Sequence, residues 1–265
     1  MNANLFKEER LRKIAELVES NGKVVIADLI NTFDVSEMTI RRDLQALEDQ
    51  GLVERIYGGA ILPQHARTHV EPPTLERMDT LSGEKRAIAR SAAQMVERDE
   101  MIFLGSGTTA LYVAQELRHR TDITVVSNSL PVLNELAVNG KMTVIGVGGF
   151  LRRKELSLIG HFAETAIQDL HVDKIIVGIR GIHPHYGLTS DHPQEIQTDR
   201  TILSIGDRII IVADHTKVGH VASIRVAPLT TASTIITTSQ APAGIVCAIR
   251  ELGVAVKLID EPAMR

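Results

Sequence analysis

Tryptophan is absent from the 265 residues, and aromatic residues of all kinds make up 3%. Proteins that grip single-stranded nucleic acid stack its bases on aromatic rings, so that class is disfavoured at the outset. A lone cysteine, Cys247, excludes an internal disulfide and any zinc site built on several thiolates, and it fits a reducing cytoplasm. No run approaches the ~18–20 uninterrupted apolar residues of a membrane span. The charged start at Lys7, Glu8, Glu9 and Arg10 is unlike a signal peptide, so a cytoplasmic protein with no membrane partner is expected. Positive charge is not in excess either: 29 Lys plus Arg face 33 Asp plus Glu, a formal net charge of −4, which argues against a generally basic surface. What is present is globular. Hydrophobic residues make up 44% and charged residues 23%, enough for a sizeable core and too apolar for a disordered chain. The length suits one large domain or two ordinary ones.

The amino-terminal part carries helical periodicity. Leu11, Ile14, Leu17 and Val18 recur at helix spacing, while Lys7, Arg10, Arg12 and Lys13 take the other positions. Asn21-Gly22 tolerates the left-handed backbone found past helix ends and stops that helix. A second helix is expected over Ile26 to Phe33, with Ala27, Leu29, Ile30 and Phe33 as its apolar residues. Ser36 is a good N-cap, its hydroxyl accepting from a helix amide that lacks a partner. The third helix runs from Glu37 towards Gln50, and Gly51 ends it. Wound at about 100° per residue, it puts Ile40, Leu44 and Leu47 on one stripe and Met38, Arg42, Gln45 and Asp49 opposite, with Thr39 and Arg41 on the flanks.

A short helix, a tight turn and a further helix form the helix-turn-helix plan, whose last helix enters the major groove of double-stranded DNA. Ser36, Thr39, Arg41, Arg42 and Gln45 are then candidate contacts. Arg can give guanine two parallel hydrogen bonds, Gln can do so to adenine, and hydroxyls can hold phosphates. Leu52–Tyr57 reads as a strand, Gly58-Gly59 as a turn and Ala60–Leu62 as the return, a wing carrying Arg55 and Tyr57 to the duplex backbone. The same pattern also describes a three-helix bundle in which Arg41 and Arg42 are a solvated face.

Three stretches in this region are specific beyond pattern: Val24–Leu29, Phe33–Leu44 and Leu47–Ala60. With Val35-Ser36-Glu37-Met38-Thr39-Ile40-Arg41-Arg42-Asp43-Leu44 and the terminal Gly58-Gly59-Ala60, they closely resemble the winged helix-turn-helix of the DeoR family of bacterial transcription regulators. Tyr57 stands where many members have His.

Periodicity disappears from Pro63 to about Thr80, where Pro63, Pro72 and Pro73 cluster, so residues 63–80 read as a semi-extended linker between a DNA-binding domain, 1–62, and a second domain, 81–265. Beyond it, strands are expected at Met101–Leu104, Ile123–Val126, Thr143–Val147, Lys174–Gly178, Arg208–Ala213, Ser233–Thr237 and Val254–Ile259. Helices such as Gly83–Val96, Thr108–Leu117, Leu130–Asn139 and Ala243–Leu252 lie between them. That alternation implies an α/β domain, a largely parallel sheet covered on both faces, with ligands bound outside the carboxyl ends of the strands.

Three loops sit at such ends: Gly105-Ser106-Gly107-Thr108-Thr109, Ser127-Asn128-Ser129 and Asp214-His215-Thr216-Lys217-Val218-Gly219. Glycines let backbone amides approach an anion, and a helix N-terminus favours negative charge. Lys217 can neutralise an anionic ligand and Asp214 can hold hydroxyls. Singly, each loop is also an ordinary polar turn; together they favour a small anionic, hydroxylated ligand. The match of Gly105-x-Gly107-x-x-Ala110 to a dinucleotide fingerprint lacks the acidic residue about 20 positions on, and no Walker A pattern occurs, so no cofactor is expected. His183, His185, His192, His215 and His220 follow no zinc spacing and read as surface or pocket residues, so no metal is expected. Cys247, beside Val246 and Ala248 in a helical pattern, is expected to be a buried structural thiol.

The resemblance continues through Phe103–Thr109, Val125–Leu130, Gly148–Arg152, Ser157–Gly160, Gly187–Thr189 and Ala213–Gly219, and so covers roughly residues 7 to 259. It implies a sensor domain similar in fold to ribose-phosphate isomerase and CoA-transferase enzymes, which binds a phosphorylated sugar or related metabolite and alters operator affinity. Carried over, Ser106, Gly107, Thr108 and Thr109 take the phosphate, with Asn128, Arg152, Asp214 and Lys217 around the rest. The chain departs from the family where many members read G-A-D-G-I-D: here stand Gly178-Ile179-Arg180-Gly181-Ile182-His183. A lysine common further on is Asp199, beside Arg200. Charge inversion of this kind changes which ligand fits, so Arg180 joins the candidate set and an effector more acidic or differently oxidised than a simple sugar phosphate is expected.

The function implied is a ligand-responsive regulator, by family analogy a repressor of a carbohydrate or related catabolic operon. The competing class is a sugar-phosphate isomerase or transferase with an added DNA module. Isomerisation needs a placed base, and Arg180, which stays protonated, is a poor one. No catalytic residue is therefore expected. A homo-oligomer, dimer or tetramer, is expected because helix-turn-helix proteins read paired half-sites. Residues 1–62 hold 8 Lys plus Arg and 11 Asp plus Glu, so most of the negative charge lies on the DNA-binding module itself. Weak non-specific binding and reliance on placed contacts follow.

Overall fold

The computed structural model describes residues 7–49, 52–56, 58–61, 73–138 and 142–260. The chain divides into two compact units, Met1–Val70 and Glu71–Arg265.

In the first unit α1 (Lys7–Asn21) is followed by β1 (Lys23–Val25), α2 (Ile26–Phe33), α3 (Glu37–Asp49), β2 (Glu54–Ile56) and β3 (Gly59–Ile61). The apolar stripes meet as expected: Ile14, Val18, Leu29, Ile40, Leu44 and Leu47 form one core with Val53 and Ala60. α2 ends on Asp34 in the left-handed region, whose N–H reaches the Ile30 carbonyl. Two residues later Ser36 Oγ accepts from the Thr39 N–H at 3.2 Å, which starts α3 as the sequence indicates. The hairpin β2–β3 is antiparallel, and β1 adds to it on the far side of β3, giving the order β1-β3-β2. That third strand was not foreseen: Lys-Val-Val between two helices is too short to show a period. It explains Gly59, where a Cβ would stand 2.0 Å from the Val24 carbonyl oxygen.

Arg10 departs from its expected place on the polar side of α1. It is 8% exposed and binds Asp43 of α3, itself 1% exposed. Nε–Oδ2 is 2.6 Å and Nη2–Oδ1 is 3.3 Å, so the guanidinium and carboxylate meet in a two-point pair. The first helix is thereby fixed to the third.

The second unit begins with a single 3-10 turn, Thr74–Arg77. Then come α4 (Ser82–Ala93), β4 (Met101–Leu104), α5 (Thr108–Leu117), β5 (Thr124–Ser127), α6 (Leu130–Ala137) and β6 (Thr143–Gly146). A hairpin, β7 (Phe150–Arg152) and β8 (Ser157–Ile159), leads to α7 (His161–Gln168) and β9 (Val172–Val177). The chain continues through β10 (Gly181–His183), β11 (Gly187–Ser190), α8 (Ile196–Leu203), β12 (Gly206–Val212), β13 (Ile224–Ala227), β14 (Thr234–Thr238), α9 (Ala243–Glu251) and β15 (Ala255–Ile259). Seven strands form a parallel sheet in the order β15-β14-β12-β9-β4-β5-β6.

All seven expected strands are present, with ends shifted by at most two residues. The alternation buries both faces: Phe103, Ile175, Ile211 and Ile235 point to one core, and Ile102, Leu104, Ile176, Ile210 and Ile236 to the other. A smaller antiparallel sheet, β10-β11-β13, and the hairpin β7–β8 lie outside the seven strands and were not foreseen. Nor were α7 and α8. Chain order runs outward from β4 through β5 to β6, then resumes at β9 on the other side of β4. The junction of β4 and β9 is therefore a topological switch point, where such sheets bind ligands.

Candidate functional site

On α3 the face opposite the core presents Met38, 62% exposed, with Arg41 and Arg42, both exposed. Arg41 is held along the helix by Glu37, at 2.8 Å from Nε and 2.6 Å from Nη2. Thr39 Oγ1 lies 2.9 Å from the capping Ser36 Oγ. Gln45 is tied into a cluster: its Nε2 donates to Asp49 at 2.9 Å and Glu48 at 3.2 Å, and its Oε1 accepts from Arg55 of β2. Arg55 also donates its N–H to Glu48 at 2.9 Å. Wing and helix are thus joined by Gln45, Glu48 and Arg55. Among the described residues Arg42 has no hydrogen-bond or ion-pair partner, which leaves it available to an outside acceptor. Tyr57 lies outside the described residues. Met38 lies one helical turn before Arg42 on the same exposed face.

In the second unit a cavity of about 230 Å³ opens at the carboxyl ends of β4, β9 and β12, at the switch point. Seven of the nine expected effector residues line it: Ser106, Gly107, Thr108, Thr109, Arg180, Asp214 and Lys217. α5 starts here, and its N-cap residue, Gly107, has no side chain with which to cap the first turn. Its leading amides, which have no partner within the helix, are positioned as anion donors. Gly107 makes this possible at φ +101°, a conformation that other residues rarely adopt.

Asn128 and Arg152 are not among the lining residues. Asn128 is 3% exposed and donates to the Leu158 carbonyl at 3.3 Å, turned toward β8. Arg152 stands behind the wall, 2.9 Å from Glu195 and 3.8 Å from Glu155, both of which do line the cavity. His183 is outside the lining too; it ends β10, not a turn as the sequence suggested, with its ring centroid 5.1 Å from that of Tyr186. Burial, with His185 close by, lowers its pKa.

Sequence reasoning missed several lining residues: Arg77, Lys85, Glu155 and Glu195, with Asp199 noted only as a departure. Their charges offset one another closely. Arg77 pairs with Glu155 at 2.5 Å, and Glu195 accepts from Arg152 and from Ser157 Oγ, each at 2.9 Å. Burial, with repulsion from Glu195 outweighing attraction by Arg152 and Glu155 adding to it, pushes the Asp199 carboxyl up to about 8, so it holds its proton at neutral pH. Arg180 lies 3.5 Å from Asp191. Burial works against the charge of Asp191, but the Ser223 N–H and hydroxyl, with Arg180, hold it below the usual carboxylate range. Asp214 Oδ1 accepts from the Thr216 N–H at 3.1 Å and from its hydroxyl, capping its own loop. With the acids engaged or protonated, Lys85 and Lys217 leave this end of the cavity suited to an anion.

That loop is anchored from below. Glu84 of α4, fully buried, accepts from the His215 N–H at 3.3 Å and from Thr238 Oγ1 at 2.8 Å, and lies 2.8 Å from His215 Nδ1.

One expectation is overturned outright: Cys247 is exposed, not buried. Val246 and Ile249 take the inward face of α9, and a neighbour 100° round the helix cannot share it.

Comparison with known proteins agrees with both units. The DeoR-like helix-turn-helix domain matches residues 10–66 and the DeoR C terminal sensor domain residues 81–239. The chain is 32% identical over 237 residues to the glycerol-3-phosphate regulon repressor of Escherichia coli K12, covering 89% of this chain and 93% of that one. It is 33% identical over 211 residues to the transcriptional repressor AccR of Agrobacterium fabrum, covering 79% and 81%. Among solved structures, ribose 5-phosphate isomerase A of Methanocaldococcus jannaschii matches at 16% identity and a TM-score of 0.37, over 50% of this chain and 52% of that one. The chain belongs to the DeoR family of transcription regulators, pairing a helix-turn-helix DNA-binding domain with an α/β sensor domain.

Proposed function

We propose that the protein is a cytoplasmic, non-enzymatic repressor of a carbohydrate or related catabolic operon, released from or held on its operator by a small anionic, phosphorylated metabolite. The observation that carries the effector half is the cavity at the β4–β9 switch point, lined by the glycine-led start of α5 and by Lys217. Ser106, Gly107, Thr108 and Thr109 take the phosphate; Arg180 and Asp214 meet the remainder, and Arg152 acts through Glu195. Asn128 supports the wall. In the other unit Thr39, Arg42 and Met38 face the groove, with Ser36 and Arg41 at the helix start. Gln45, Arg55 and Tyr57 hold or extend the wing. Residues 1–62 are the DNA-binding module, 63–80 the linker and 81–265 the sensor. Two copies read paired half-sites.

The test is the affinity of the purified full chain for the DNA upstream of its own gene, with and without a panel of sugar phosphates, beside an isomerase assay on the same panel. A metabolite-dependent change in DNA affinity without turnover is expected. Turnover without DNA binding would overturn the proposal.

A further inference from the structure

The last part of the linker, residues 74–80, is itself built into the sensor unit. Thr74 is 1% exposed; its N–H donates to the Lys154 carbonyl at 2.9 Å and its hydroxyl to the Glu155 carbonyl at 3.3 Å. Arg77 pairs with Glu155 at 2.5 Å and donates to Thr74 Oγ1 at 3.0 Å. Tyr112 of α5 donates its hydroxyl to the Met78 carbonyl at 3.1 Å. Lys85 Nζ donates back to the Arg77 carbonyl at 2.7 Å. Between them Leu81 takes a left-handed backbone, φ +51°, unusual for a branched side chain. Every one of these attachments is to an element that borders the cavity, and Arg77, Leu81 and Lys85 line it.

The Arg77–Glu155 pair lies directly against the anion loop. A Cβ built on Gly107 would stand 3.4 Å from Glu155 Oε1. An anion seated on the first turn of α5 therefore meets a carboxylate that repels it and, beside that carboxylate, a guanidinium that attracts it. An anion there would offer Arg77 a second partner in place of Glu155. A ligand shifts such a balance by its difference in affinity for the two states.

We propose that Arg77 and Lys85 are effector-binding residues, and that the effector displaces Glu155 as the anion facing Arg77. Occupancy is then read by the end of the linker, which is covalently continuous with the DNA-binding unit. This rests on the cavity being the effector site.

The geometry predicts opposite signs for the two halves of the pair. Arg77→Gln weakens binding of inorganic phosphate and of glucose 6-phosphate to the full chain roughly tenfold or more, because a charge-assisted donor is lost. Arg77→Lys recovers part of it. Glu155→Gln tightens binding, because the repelling carboxylate is gone. A pair that only braces the fold would move both variants the same way. Titration calorimetry on the full chain, with melting curves to show that each variant is folded, reads the result. Opposite shifts, accompanied by reduced phosphate-dependent change in DNA affinity for Arg77→Gln, bear the inference out. Shifts in one direction, or none, in a wild type that binds phosphate and a Lys217→Ala variant that does not, overturn it while leaving the cavity as the effector site. A wild type that binds neither probe overturns the reading of the cavity, and this inference with it.

Discussion

Asp43→Ala is the sharpest perturbation of the DNA-binding unit, because it touches no candidate DNA contact. The Asp43 side chain is 2% exposed and that of Arg10 is 10% exposed. The substitution removes both carboxylate acceptors, at 2.6 and 3.3 Å, from a guanidinium that cannot shed its proton. Breaking a buried pair from one side costs about 3–5 kcal/mol. A module of this size has only ~3–9 kcal/mol of stability in total, at ~0.05–0.15 kcal/mol per residue. Loss of one side chain thus comes near to unfolding the unit, while the sensor sheet is untouched. Hydrogen exchange on the full chain resolves this without cutting the protein. Protection of the α1 and α3 amides falls roughly 100- to 5,000-fold, at about tenfold per 1.4 kcal/mol, and that of β4, β9 and β12 stays constant. DNA binding falls with it. Replacing both partners, Arg10→Met with Asp43→Leu, restores most of the protection, because the buried pair is exchanged for apolar packing from both sides at once. Protection in α1 and α3 unchanged by Asp43→Ala would refute the reasoning.

Further outcomes follow from the sensor unit. Asp199 titrates at about 8 in the folded protein against an ordinary value of 3.8. The folded state keeps a proton that the unfolded chain gives up, so this residue's contribution to stability is present below the ordinary value and is lost as pH rises through the folded one. Asp199→Asn needs no such proton; its melting temperature gains on the wild type as pH rises through that window and no further above it, and a pH-independent difference would contradict the assignment. Gly107→Ala forces a side chain into φ +101° at a cost of ~1–3 kcal/mol, lowering sensor stability and phosphate affinity while leaving ligand-free DNA affinity unchanged. Cys247, being exposed, reacts with a thiol reagent in the native protein; a thiol reactive only after unfolding would contradict its placement.

Where the chain announces itself through periodicity, the sequence was enough. α2 and α5 fall where apolar spacing puts them, α3 starts at its Ser36 cap, and the buried strands stand out as short apolar runs. The anion loop was legible because glycine and hydroxyl residues between a strand and a helix have a direct chemical meaning. Arg77, Glu155 and Glu195 were not, since they come together only through folding, from a 3-10 turn, a hairpin and the residue before α8. Arg10 looked like one more solvated cation because nothing local marks its partner 33 residues away. The small strands of the second sheet and β7–β8 escaped because three or four residues carry no period. Charge at Arg180 and Asp199 looked like a bare inversion, whereas in the fold one has Asp191 beside it and the other keeps its proton.

The central claim is that α3 carries DNA recognition through a small number of placed side chains on an acidic module. The most direct test is the equilibrium affinity of the full chain for its upstream DNA, wild type against Arg42→Ala, at fixed salt. The account predicts a loss of ~1–3 kcal/mol, roughly 5- to 150-fold, with hydrogen-exchange protection of α1 and α3 unaltered. Equal affinity for the two proteins, with the fold intact, would contradict it.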